Sequence, residues 1–134
     1  MIINLHCNDF SQNRFSYDGS YVRLDRRWAY EVAVLHIHIE LKSNQVTKDN
    51  ELWCLSTNLV DRSPANAYQA VSYFTLSRGK LNHDITPSVV FHPLDTYQLD
   101  NLEFFIQRIT KQKTLNFEHA FIQIEIRCLE SARL

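Results

Sequence analysis

"AYEVAVLHIHIEL", Ala29–Leu41, runs for thirteen residues without a glycine or a proline. Counting by twos places Ala33, Leu35, Ile37, Ile39 and Leu41 on one side and Tyr30, Val32, Val34, His36, His38 and Glu40 on the other. A period of two is the signature of an extended strand, because successive side chains leave the pleat on opposite faces. This strand is apolar on one face throughout and on both faces in its first half, as expected of a strand that enters a core. It also poses a chemical question. His36 and His38 project to the same side, a spacing that lets two imidazoles reach one metal ion.

The same period recurs along the chain. "AFIQIEIRCL" (120–129) sets Ala120, Ile122, Ile124, Ile126 and Cys128 against Gln123, Glu125 and Arg127. "ELWCLSTNL" (51–59) alternates Trp53, Leu55, Thr57 and Leu59 with the intervening residues. Weaker strand signals lie in "IINL", "YVRL", "YQAVSYFTL" and "SVVFH". In "LDNLEFFIQRI" (99–109), Leu99, Leu102, Ile106 and Ile109 suit a helix, while Leu102, Phe104 and Ile106 suit a strand. Its aromatic and β-branched content and short length favour the strand. With only two glycines, Gly19 and Gly79, the turns rely on clusters such as "KSNQ", "TKDN" and "SRGKLNHD". About eight short strands and no clear helix predict an all-β chain, an antiparallel β-sandwich or barrel forming one domain over residues 1–134.

A chain of 134 residues can bury a core without a metal or disulfide staple. A hydrophobic content of 45% places it among globular proteins, and a formal charge of −1 supplies no global field toward nucleic acid or an acidic membrane. No run of eighteen apolar residues and no signal-like segment is present, so production in the cytoplasm or nucleus is expected. Cys7, Cys54 and Cys128 are odd in number and lack a CxxC spacing, which suits buried free thiols in a reducing compartment.

Catalytic patterns are weak. A metal site built on His36 and His38 needs a third ligand, for which His83, His92 and His119 are the imidazoles to consider. The cupins carry a His-x-His on a jelly-roll strand. Here Glu40 follows by only two residues and no glycine flanks the pair. Cys54 sits within a strand, and no Gly-x-Ser-x-Gly elbow exists. "SRGK" (77–80) lacks the glycine spacing of a phosphate loop and reads as a hairpin turn. "RLDRRW" (23–28) offers three arginines and a tryptophan, which read as a solvated turn before a strand. The expectation is a protein without catalysis and without a cofactor.

The order of features carries a resemblance. "RRWAYEVAVLHIHI" is followed by "LWCLSTNLVDRSPANAYQAVSYFTLS" and then by "VVFHPLDTYQLDNLEFFIQRITKQKTLNFEHAFIQIEIRC". This resembles a small capsid-type protein of Polinton (Maverick) elements and the related adintoviruses, over roughly residues 20–128. Trp28, Tyr30, Glu31, Val32 and Ala33 match its first strand, and Val60 and Asp61 match the turn after the second. Phe91, Pro93, Leu94, Leu102, Ile106, Leu115, Phe117, Ile122, Ile124, Ile126 and Arg127 match the closing elements. The chain departs from the pattern at "TKQK", where a glycine is usual, and at "ELKSN", where an aliphatic-proline pair is usual. The resemblance implies a jelly-roll subunit in a virion, a vertex or spike component that assembles with itself as a trimer or pentamer and with other capsid proteins. A receptor- or glycan-binding head is the neighbouring expectation, and a cupin-like metal protein the third. Tyr30, His36, His38, Tyr68, Tyr73 and Tyr97 are then the candidate contact residues.

Overall fold

The computed structural model describes residues 1–7, 14–19, 22–42, 51–60, 69–97, 99, 102–108 and 117–129. Among the described residues nine strands follow in chain order: β1 Ile2–Cys7, β2 Arg14–Tyr17, β3 Ala29–Leu41, β4 Glu51–Thr57, β5 Gln69–Leu76, β6 Asn82–Ile85, β7 His92–Pro93, β8 Leu102–Arg108 and β9 Phe117–Leu129. The ambiguous segment near residue 102 is a strand, as its β-branched and aromatic content favours.

Two sheets result. One has the order β1-β9-β3-β6, with the short β7 also on β3, and the other has the order β2-β8-β4-β5. All pairings are antiparallel. The ladders nest: β1 pairs with β9, β2 with β8, β3 with β6 and β4 with β5. This is a long hairpin rolled onto itself, the connectivity of a double Greek key, and the chain is a jelly roll.

The core lies between the sheets. From the first come Ile3, Leu5, Val32, Val34, Ile37, Ile39, Ile122, Ile124 and Ile126, and from the second Trp53, Leu55, Phe74, Leu76, Leu102, Phe104 and Ile106. Trp53 is wholly buried, and its indole N–H donates to Glu51 Oε2 at 3.2 Å, so the one polar atom of that ring is satisfied.

β3 corrects the simple alternation. Val34 pairs with Ile124 and His36 with Gln123, which leaves Leu35 as an extra residue in a β-bulge. The bulge resets the phase of the strand. Val32 and Val34, expected on the side of the histidines, instead share the core side with Ile37 and Ile39, while His36 and His38 turn outward. A second irregularity opposite Leu41 lets Phe117 as well as Ala120 point inward from β9.

Other expectations change. Residues 22–24 of "YVRL" are irregular rather than a strand, although Val22 is buried in the core. Of "SVVFH" only His92 enters a ladder, and Val89 and Val90 are exposed. Of the cysteines, Cys54 is buried and Cys128 is exposed, against the expectation of a buried thiol there. Residues 77–80 form the turn between β5 and β6, with Gly79 at φ 75°, a left-handed conformation that suits glycine. Asp25 holds Arg27 with a contact of 2.7 Å at an exposed turn, as expected of "RLDRRW".

Candidate functional site

With Ile37, Ile39 and Leu41 in the core, the polar row His36, His38 and Glu40 of β3 lies on the outer face of the first sheet. The ladder then sets the neighbours. His38 lies opposite Phe121 on β9 and opposite Asp84 on β6, and His6 on β1 lies opposite Phe121 on its other side. Glu40 lies opposite His119. Four of the six histidines, His6, His36, His38 and His119, therefore gather on one sheet face around Phe121. The ring centroids of His6 and His36 are 4.7 and 6.1 Å from that of Phe121, and those of His6 and His119 are 5.7 Å apart.

The imidazoles are tied by carboxylates. Asp84 Oδ1 accepts from His36 Nε2 at 3.0 Å and from His38 Nδ1 at 2.8 Å. His38 Nε2 meets Glu40 Oε1 at 3.1 Å. A ring that donates through both nitrogens carries both protons. Its environment agrees: the hydrogen bond to Asp84, then that to Glu40, raises the His38 pKa above its ordinary value. Reciprocally, the hydrogen bonds from His38 and then His36 lower that of Asp84. Further along the same face, Arg127 pairs with Glu31 and lies 3.5 Å over the ring of Phe91. Gln123 donates to Asn4 at 3.0 Å.

This arrangement pairs charges and binds protons on an open face. Among the described residues no three His, Cys, Asp or Glu side chains converge on a place for a metal ion. His36 and His38 share Asp84 instead. Of the imidazoles considered as a third ligand, His83 is buried on the opposite side of the sheet and hydrogen-bonds to the Lys80 carbonyl oxygen at 3.1 Å. His92 lies opposite Val32, far along β3 from His38, and His119 stands beside His6. Cys54 is no nucleophile in waiting, since burial pushes its thiol pKa up.

The remaining candidate contact residues separate. Tyr30 and Tyr97 meet edge to face at 6.1 Å. The Tyr30 hydroxyl accepts from the Asp25 N–H at 3.0 Å, and the Tyr97 hydroxyl donates to the Trp28 carbonyl at 2.7 Å, so both pin the turn before β3. Tyr73 stands on the second sheet and is 63% exposed. Tyr68 lies outside the described residues. Sequence reasoning missed His6, Asp84 and Phe121 as members of the histidine face. The signal was present only as parity: each shares a side with His38 once the strand register is known. No protein-family model matches the chain, and no curated protein matches it significantly.

Proposed function

We propose that the chain is a non-enzymatic structural subunit of a viral or virus-derived element of the Polinton or adintovirus kind, assembling as a symmetric homo-oligomer in a vertex or spike of a virion. The observation that carries this reading is the outer face of the first sheet, where His6, His36, His38, Phe121 and Asp84 form an ordered surface on a rigid ladder. A face of aromatic rings and half-buried, charge-paired groups has the composition of a protein contact: an apolar centre at Phe121 inside a polar rim. Fixed partners such as Asp84 also reduce the side-chain ordering that association costs. The jelly roll itself is shared by capsid proteins, lectins and cupins, so the fold does not choose among them.

A cupin-like site is disfavoured by geometry. A metal held inside the sandwich needs its imidazoles on the side of Ile37 and Ile39, and the alternation of β3 places His36 and His38 on the other side. Native mass spectrometry of the purified protein tests the reading. A metal-free trimer or pentamer that dissociates when Phe121 is replaced by Lys supports it. A monomer at every concentration, with one transition-metal ion per chain, overturns it. Specific retention on a glycan array by an otherwise monomeric chain favours the binding-head alternative.

A further inference from the structure

The second sheet ends in an edge strand that carries no charge. Among the described strands β5 has one neighbour, β4, so alternate backbone N–H and C=O groups along its other side point away from the sheet. Natural edges are blunted by lysine, proline, inward-pointing charge, a bulge or a covering loop, and of these charge is what bears on pairing between identical strands. β5 reads "QAVSYFTL", eight residues without a charge or a proline, inside an uncharged run over 63–77 bounded by Arg62 and Arg78. The other edges differ. β2 carries Arg14 and β6 carries Asp84, while β1 carries His6 and lies against β2 where the two sheets meet.

Two further observations fall at the same edge. Tyr73 and Leu52, on adjacent strands, are 63% and 48% exposed, and Val90 across the sandwich opening is 53% exposed. Beside β5 runs a cleft of about 390 Å³, lined by Val71, Ser72, Tyr73, Pro87, Val90 and His92. It holds two buried polar atoms, Ser72 Oγ and His92 Nε2, that find no hydrogen-bond partner among the described residues. Ser72 itself is 6% exposed. A β-bulge at Val71, where the pairing steps from Leu55–Ser72 to Ser56–Ala70, lies beside that serine.

We infer that β5 is a contact strand, and that its partner is the β5 of a second copy of this chain, paired antiparallel across a twofold axis. Two copies of a charged edge meet with like charges opposed, whereas an uncharged edge meets itself without that repulsion. Strand addition satisfies the outward backbone groups, places side chains of the second copy beside Tyr73, and brings polar main chain to the mouth of the cleft that holds Ser72 and His92. The inference rests on the homo-oligomer reading and adds to it a twofold contact, distinct from the rotational contact within a ring, that joins one ring or protomer to the next.

The test uses the intact chain with paired charge substitutions at the exposed positions of β5. Tyr73→Lys/Thr75→Lys and Tyr73→Glu/Thr75→Glu point into solvent in an isolated protomer, so circular dichroism and melting of each variant should match the parent. Native mass spectrometry should show even-numbered assemblies for the parent, at least a tenfold loss of the doubled species for either variant alone, and its return when the two are mixed. Slowed exchange of the β5 amides should accompany the doubled species. A trimer or pentamer that never doubles, or variants that double as the parent does, overturn the edge contact and leave the homo-oligomer reading standing. A parent that is monomeric at every concentration overturns both.

Discussion

His38 and His83 sit one rung apart on neighbouring strands, since His38 lies opposite Asp84 and Ile39 opposite His83, yet they experience opposite environments. His38 faces out, donates to Asp84 and Glu40, and has its pKa raised by those hydrogen bonds. His83 faces in and is 5% exposed. Burial, the largest influence, lowers its pKa, opposed by the hydrogen bond to the Lys80 carbonyl and reinforced by the charges of Lys80 and His38. The side of the pleat, rather than the residue type, sets the direction in which each imidazole's pKa moves. Inward positions of this sheet are governed by packing and desolvation, outward ones by charge pairing.

The sharpest way to break that contrast is to put a charge on each side of β3. Ile37 is wholly buried, and Ile37→Asp sets a carboxylate in the core, an expected loss of roughly 4 kcal/mol or more. Ile37→Ala, which only leaves a cavity, should cost about 2–5 kcal/mol. His36→Gln, one residue away on the outer face, should cost under about 1 kcal/mol, because it removes part of an exposed pair. Urea unfolding of the three variants reads the order directly. Equal costs for Ile37→Ala and His36→Gln would mean that the two faces are not inner and outer.

The bulge offers a subtler test. Deleting Leu35 leaves Val34 followed by His36, so β3 becomes regular while Val32, Val34, Ile37 and Ile39 still face inward and His36 and His38 still face out. The expected cost is about 2 kcal/mol or less, below that of Ile37→Ala, with the same fold by amide exchange. A deletion that abolished folding would place the phase change elsewhere.

That bulge also marks what could and could not be read from the sequence. The β class was legible because Ile122, Ile124 and Ile126 alternate cleanly with Gln123 and Glu125, and the burial follows that alternation. The strand assignment at Leu102, Phe104 and Ile106 followed from the same logic. In β3 both parities are apolar from Val32 to Leu35, so one inserted residue there leaves no mark in the pattern. The grouping of His6, Asp84 and Phe121 with His38 was illegible for another reason. It depends on the pairing of β1, β9, β3 and β6, where partners lie as far apart as Ile2 and Glu125, and local periodicity carries no information about which strands meet. "YVRL" and "SVVFH" show the converse limit: a β-branched run can lie irregularly in the core, as Val22 does, or exposed, as Val89 does.

The smallest expected effect is also the one that separates the two histidines most cleanly, because their contributions to stability change with pH in opposite directions. A pKa raised in the folded state, as for His38, gives stabilisation that is whole below the unfolded value of 6.5 and is lost as pH rises through the folded value. A pKa lowered by burial, as for His83, makes the folded state favour the neutral ring, so stability falls as pH drops below 6.5 toward the folded value. In the parent the two slopes oppose each other around neutrality. His38→Gln should therefore flatten the decline above pH 6.5 while leaving the acid side unchanged, and His83→Leu should flatten the acid side while leaving the alkaline decline. Asp84, lowered by its histidine partners, adds stability that persists until pH falls through its own folded value, well below this window. Unfolding free energies of the three proteins measured from pH 5 to 8 give the curves. If both variants merely displaced the parent curve without changing its slope, the opposite pKa directions assigned to the two faces would be wrong, and with them the reading of the outer face as a charge-paired surface.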